Sequence, residues 1–334
     1  MDNFIIVFGA TGNLGAYITK DLLDNGYQVI AVGHRESDNG FWEQRGVPYY
    51  SVDICNKKDF LRLPTKNVYA VVHFAGVLPA RTEYNPTAML ESFVMGTLNI
   101  LDYMVAVGCK KIIFPQTPAD LYYLHNSSLP IPADAQRSFP KTGDHSVYTI
   151  AKNAAIDLIE FYHSTYGISR FILRFFTIYQ YYPNPYHIQN GTRKMMPYRI
   201  LIDKAIKGES IEVWGDPNRS KEITYIKDFT QAVRKCIEVQ IEGGIYNIGC
   251  GKPVTLEEQI QGIIDVFSPK EHPSKKVYCP DKPNARLNHL DILKSQRELG
   301  YEPRYTYVEA MKDFLKEMRE EPFAELWGKR TDFE

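Results

Sequence analysis

Cysteine is scarce and poorly spaced for cross-linking. The five residues Cys55, Cys109, Cys236, Cys250 and Cys279 are odd in number and scattered, with no C-x-x-C pair. Neither a disulfide framework nor a metal site is indicated. An excess of charge of one sign is also missing: 39 Lys and Arg stand against 40 Asp and Glu, a net charge of -1. That balance argues against nucleic acid or an anionic membrane surface as partner. No apolar run in the sequence approaches membrane-spanning length. The first residues run straight into a strand without a basic n-region or small-residue cleavage site, so no secretory signal is read. Internal repeats and low-complexity segments are absent. These absences point to a cytoplasmic globular protein. Its 334 residues suffice for one large or two ordinary domains. Tyrosine is abundant, with 23 residues, several of them clustered between Ile178 and His187.

The strongest signal lies at the start. Phe4 to Phe8 reads Phe-Ile-Ile-Val-Phe, the pattern of a fully buried parallel strand. Gly9-Ala-Thr-Gly12-Asn-Leu-Gly15 follows, and then Ala16 to Leu23, an amphipathic helical pattern. Gly9 permits the sharp turn, Gly12 lets a pyrophosphate approach the backbone, and Gly15 lets the helix pack on the sheet. Free N–H groups at the helix start face the phosphates. This is a dinucleotide site with G-x-x-G-x-x-G spacing, and Asn13 and Leu14 stand beside the phosphates.

Strands are predicted at Gln28 to Gly33, Tyr49 to Val52, Ala70 to Phe74, Lys111 to Phe114 and Arg170 to Phe175. Helices are predicted between them, notably Thr87 to Val107 and Val147 to Thr165. Such alternation gives an α/β, Rossmann-like doubly wound parallel sheet. Further helices are predicted at Pro197 to Lys207, Lys227 to Val239, Leu256 to Phe267, Ile292 to Leu299 and Thr306 to Arg319. Residues 182–191 and 215–220 read as loops. The expected division is a dinucleotide-binding domain, 1–176, with a return segment near 223–249. A smaller mixed α/β substrate domain takes 177–222 and 250–334.

Tyr148-Thr-Ile-Ala-Lys152 places a phenol and an ammonium on one helix face. A phenol with a reference pKa of about 10 is a poor acid or base near neutrality, and a nearby cation brings it toward working pH. The lysine also reaches the cofactor ribose. Thr117, just past the fifth strand, is placed to hold a substrate oxygen.

Together these residues resemble the extended short-chain dehydrogenase/reductase family, in particular its nucleotide-sugar epimerases, dehydratases and reductases. The resemblance runs along nearly the whole chain. Gly9 to Gly15 is similar to the family's nucleotide loop, Val52-Asp53-Ile54 to its adenine-contacting Asp, and His73-Phe74-Ala75-Gly76 to the cofactor-lining end of its fourth strand. The resemblance implies Tyr148, Lys152 and Thr117 as catalytic residues and Phe176 as a further cofactor contact. Met196-Pro-Tyr198, Ile211 to Gly215, Glu222 to Asp228, Tyr246 to Gly249 and Asp291 to Gly300 follow the sugar-nucleotide half. They imply substrate contacts at Thr177, Met196, Trp214, Lys221 and Arg286. The family's four-helix packing across a two-fold axis implies a homodimer.

Departures from the family pattern sharpen the expectation. Pro115 to Tyr123 replaces Ser-Ser-x-x-Val-Tyr-Gly and is one residue longer. Pro118-Ala119 replaces the dehydratase Asp-Glu pair, so water elimination is not expected. Phe93 stands for the family's Asn before Gly96-Thr97, Thr177 for a second Asn, and Lys221 for an Arg. Gly33 replaces the carboxylate that binds ribose hydroxyls, and His34-Arg35 follows it, a combination that favours NADP over NAD. Two enzymatic outcomes stay open: an epimerase passing through a keto-sugar, or an NADPH-dependent reductase of a keto-sugar nucleotide. A non-catalytic NADP-sensing protein on the same fold is the rival from another class.

Overall fold

The computed structural model describes residues 3–79, 84–143, 145–189, 191–284 and 287–333. Seven parallel strands form one sheet: β1 (Phe4–Phe8), β2 (Val29–Gly33), β3 (Tyr49–Ser51), β4 (Val68–His73), β5 (Lys111–Gln116), β6 (Ser169–Arg174) and β7 (Gly243–Asn247). Their order across the sheet is β7-β6-β5-β4-β1-β2-β3. The order reverses between β1 and β4, and in such sheets the ligand crevice opens there, beyond the carboxyl ends of the strands.

Strand periodicity sorts the core into two layers. Ile5 and Val7 join a cluster with Tyr17, Phe229 and Phe314 on one face. Ile6 and Phe8 join Ile112, Phe114 and Ile156 on the other. Helix α1 (Asn13–Asp24) covers the first face with Ala16, Tyr17, Ile18 and Leu22. Helices α2 (Pro86–Val107) and α3 (Ser146–Tyr166) cover the second. Both end on a glycine at positive φ, Gly108 at 74° and Gly167 at 67°, the left-handed C-cap that glycine adopts without a Cβ clash. The middle of α2, Glu91–Met95, is a π-helical turn. Such turns often mark functional sites, and this one carries Phe93.

Helix α2 departs from one sequence expectation. Scattered polar residues break any apolar run, yet an 18-residue window has mean hydropathy 1.3 and passes the length and composition test for a membrane span. Half of that window is buried within the protein.

Within residues 223–249, α5 (Ile226–Glu238) leads into β7, which pairs with β6 in register Ile245 to Ile172. The remaining helices are α4 (Pro197–Ile206), α6 (Leu256–Phe267), α7 (Leu293–Leu299), α8 (Tyr307–Glu320) and α9 (Ala324–Trp327). Capping boxes start α6 at Thr255 and Glu258, and α8 at Thr306 and Glu309, each satisfying two otherwise orphaned N–H groups. Within residues 182–191, read from the sequence as a loop, Tyr186–Gln189 forms a strand that pairs antiparallel with Thr192–Met195. Its residues are largely solvent-facing, so no apolar alternation announces it.

Candidate active site

The glycine loop is built by close approach. Gly9 has φ +89°, and a Cβ there would stand 2.7 Å from the Phe74 carbonyl carbon. A Cβ on Gly15 would stand 2.0 Å from the Gly9 oxygen. Neither position accepts a side chain, so the turn stays tight and α1 starts directly beneath it. Two indoles hold the loop's outer carbonyls. Trp42 Nε1 donates to Ala10 O at 3.2 Å, and Trp327 Nε1 donates to Thr11 O at 3.0 Å. Asn13 Oδ1 accepts a short hydrogen bond from Gln180 Nε2.

A cavity of about 300 Å³ lies at the topological switch, lined by Gly9, His34, Asp53, Ile54, Ala75 and Gly76 among others. Six of the expected cofactor residues therefore meet in one place. Gly12, Asn13, Leu14 and Gly15 form the loop beside it. Phe74 turns its ring onto Phe229 (5.8 Å between centroids), and Phe176 packs its ring against His125 (5.3 Å). Arg35 is not among the lining residues; its Nη1 donates to Leu326 O at 2.7 Å.

Lys152 is buried, and its Nζ donates to Pro115 O at 2.9 Å, at the carboxyl end of β5. The rings of Phe114 and Phe93 lie 4.3 Å and 4.4 Å from that nitrogen. Desolvation in this aromatic cage pushes the Lys152 pKa down to about 7. Tyr148 stands one turn earlier on α3, its ring edge-on to Phe93 at 5.4 Å. Burial holds its phenol well above the ordinary range. The sequence expectation was a phenol drawn down by the lysine. The Tyr148 shift runs the other way, and its cause is desolvation by burial.

Phe93 is the hinge of this arrangement. It fills the space over Gly76, where a Cβ would meet its ring at 2.2 Å, and it touches both members of the Tyr148/Lys152 pair. The sequence flagged it as a departure, but not as the wall that dries the site.

Thr117 caps the turn Pro118–Leu124, its Oγ1 accepting from Ala119 N at 3.2 Å. The hydroxyl's own proton is a donor. A buried network fixes the Thr117 peptide. Its N–H donates to Gln116 Oε1 at 2.9 Å. Gln116 Nε2 donates to Asp120 Oδ2 at 3.0 Å and Asn153 Oδ1 at 2.9 Å. Asp120 accepts from Arg174 Nη2 at 2.9 Å, and both side chains are buried. This chain joins β5, α3 and β6 behind the candidate hydroxyl. None of it is visible in the local sequence.

His73, at the end of β4, shares a 3.0 Å hydrogen bond between Nε2 and Thr97 Oγ1. Burial first, then the Lys152 charge, pushes its pKa down to about 3, so it stays neutral at physiological pH.

The second half contributes a cavity of about 480 Å³ that gathers Trp214 and Lys221 with Tyr179, Tyr198 and Asn284. Lys221 Nζ lies 3.3 Å from Tyr179 Oη, and Tyr179 stacks on Tyr198 at 4.5 Å. Lys282 Nζ sits 5.3 Å from the Trp214 ring centroid. Thr177 and Met196 do not line this cavity: Thr177 is exposed, and Met196 packs against the core. Arg286 lies outside the described residues. Among the described residues, no group of three or more His, Cys, Asp or Glu side chains is placed to hold a metal ion.

A profile of the NAD dependent epimerase/dehydratase family matches residues 5–249. A putative UDP-glucose 4-epimerase of Methanocaldococcus jannaschii is 27% identical over 321 residues, covering 94% of this chain and 98% of that protein. A UDP-glucuronate 4-epimerase of Thermodesulfobacterium geofontis is 25% identical over 323 residues, covering 92% and 94%. Among solved structures, UDP-glucose 4-epimerase from Thermotoga maritima with UDP-glucose superposes with a TM-score of 0.75 at 24% identity, covering 95% of this chain and 99% of that one.

Proposed function

The chain belongs to the NAD dependent epimerase/dehydratase family, and from that premise we propose that it is an NAD-dependent nucleoside-diphosphate-sugar epimerase acting through a keto-sugar intermediate. The observation that carries this reading is the placement of Tyr148 and Lys152 on α3 against the carboxyl end of β5, in the same sheet whose switch point holds the glycine loop. The relatives' names point to a UDP-hexose, with reaction at C4. Residues 177–222 and 250–334 are taken as the substrate half. Trp214, Tyr179 and Tyr198 offer flat faces for a base, and Lys221 offers a cation for the diphosphate.

The residues present fit a dinucleotide. The cradle at Gly9 and Gly15 is space that a Cβ would fill, and the adjoining cavity carries Asp53 and His34 at its rim. When bound, NAD supplies a hydride acceptor and donor at its nicotinamide. The protein's part is to move the proton. Tyr148 Oη takes the sugar hydroxyl proton as the ring C–H leaves as hydride, giving the ketone. After the sugar turns over, Tyr148 returns the proton to the same oxygen as hydride arrives on the opposite face. Lys152 supplies the charge that favours phenolate, and Thr117 donates to the reacting oxygen. Pro118-Ala119 offers no acid/base pair for loss of water, which argues against a dehydratase. The Leu326 carbonyl engages Arg35 outside the cofactor cavity, so the structure supports NAD rather than the NADP suggested by Gly33-His34-Arg35. A panel of sugar nucleotides incubated with the protein, with and without NADPH, tests the reading by product mass and NMR. Epimer formation without added reductant supports it; conversion only with NADPH assigns the reductase instead.

The same helices favour a homodimer. Leu90 and Met95 on α2 are exposed apolar side chains, as are Ile150 and Phe161 on α3. Ile150 and Phe161 are about three helical turns apart and share a face. Light scattering at micromolar concentration is expected to give the mass of two chains, and Phe161→Glu should shift it toward one. A wild-type mass of one chain contradicts the pairing.

A further inference from the structure

The last helix is tied to the cofactor loop. Trp327 Nε1 reaches Thr11 O at 3.0 Å, inside the glycine motif. One residue earlier, Leu326 O accepts from Arg35 Nη1 at 2.7 Å, and Glu325 O accepts from Asn39 Nδ2 at 2.9 Å. Phe323 anchors the segment. It is buried, with its ring centroid 4.4 Å from Trp327, 4.8 Å from Tyr17 and 5.7 Å from Phe41. Residues more than 280 positions apart in sequence thus form one structure around the loop that follows β2.

This placement bears on a problem posed by Gly33. A carboxylate at the end of the second strand would accept from ribose hydroxyls and repel a 2′-phosphate. Gly33 does neither, and a side chain there would have to displace two neighbouring hydroxyls. A Cβ would stand 2.6 Å from Tyr49 Oη and 2.9 Å from Thr11 Oγ1. Tyr49 Oη in turn donates to Arg35 O at 2.7 Å, fixing the backbone from which the guanidinium points to Leu326. An arginine two residues beyond the strand, left to itself, would attract the extra phosphate of NADP.

We infer that the C-terminal segment Phe323–Trp327 is a clamp that selects NAD over NADP by holding the Arg35 guanidinium off the adenosine ribose. This rests on the dinucleotide reading above. The clamp takes the place of the missing carboxylate: discrimination comes from withholding a cation rather than from presenting an anion.

The test is the ratio of dissociation constants for NAD and NADP, measured by calorimetry on full-length protein. Wild type should prefer NAD. Trp327→Ala, which unpins the segment, should raise NADP affinity relative to NAD about tenfold to a hundredfold, the worth of one charge-assisted hydrogen bond. Trp327→Phe keeps the packing and loses only the bond to Thr11 O, and should move the ratio less, in the same direction. Arg35→Ala alone should leave the ratio within about twofold, and Trp327→Ala combined with Arg35→Ala should return it to the wild-type value. The clamp is overturned by a ratio that neither Trp327 variant moves, by a gain that survives loss of Arg35, or by Arg35→Ala alone weakening NADP. Should Trp327→Ala not fold, Trp327→Phe and its double variant decide. A wild-type protein that binds neither dinucleotide overturns the dinucleotide reading itself, a result distinct from an unmoved ratio.

Discussion

Tyr148→Phe is expected to lower epimerisation about a hundredfold to ten-thousandfold, the range that a positioned acid–base group contributes, while leaving dinucleotide affinity close to wild type. The ring already packs edge-on against Phe93, and phenylalanine keeps that contact, so the variant removes a proton-transfer group and little else. Burial holds the phenol high, so its ionisation depends on positive charge nearby. The deficit should therefore appear in turnover rather than in KM. Turnover near wild type would remove Tyr148 from the mechanism. Equal losses in turnover and cofactor affinity would make it a structural residue.

Lys152→Met should lose both turnover and cofactor affinity, and it should abolish the contribution of Lys152 to the pH dependence of stability. The folded-state pKa of about 7 lies below the ordinary lysine value of 10.5. Between those values the unfolded chain holds a proton that the native chain does not, so wild-type stability rises with pH across this window. Below pH 7 both states are protonated, and the fold carries the full cost of a caged cation. Methionine never ionises. The variant should therefore be more stable than wild type at pH 6, and the gap should narrow by roughly 2 to 3 kcal/mol by pH 9, at about 1.4 kcal/mol per pKa unit. Denaturant titrations at the two pH values check this. A gap that does not change with pH would show that Lys152 keeps its charge in the fold.

The contrast between Lys152 and Arg35 shows what the sequence makes legible. Strands β1, β2, β4, β5 and β6 centre on runs of buried apolar residues, and each was readable to within two residues from those runs. The glycine loop was readable because Gly9 and Gly15 admit no alternative. The Tyr148/Lys152 pair was readable because four residues make one helical turn. The direction of the Tyr148 shift was not, since it follows from burial, to which Phe93 contributes from a π-helical turn in another helix. Arg35 was read as a phosphate ligand from its nearness in sequence to β2. Its Nη1 donates to a backbone carbonyl of Leu326, 291 residues away, which carries no side-chain signature. The network from Gln116 through Asp120 to Arg174 is hidden in the same way: its members are ordinary polar residues until β5 and β6 lie side by side.

The central claim is that hydride leaves and returns to the same sugar carbon within one active site. The most direct measurement is to incubate the protein with NAD and UDP-glucose deuterated at C4, in ordinary water without added NADPH, and to follow products by NMR and mass. The account predicts the C4 epimer with deuterium retained at C4 and no change in mass. Loss of the label to water, a product lighter by one water, or conversion only with added NADPH would contradict it.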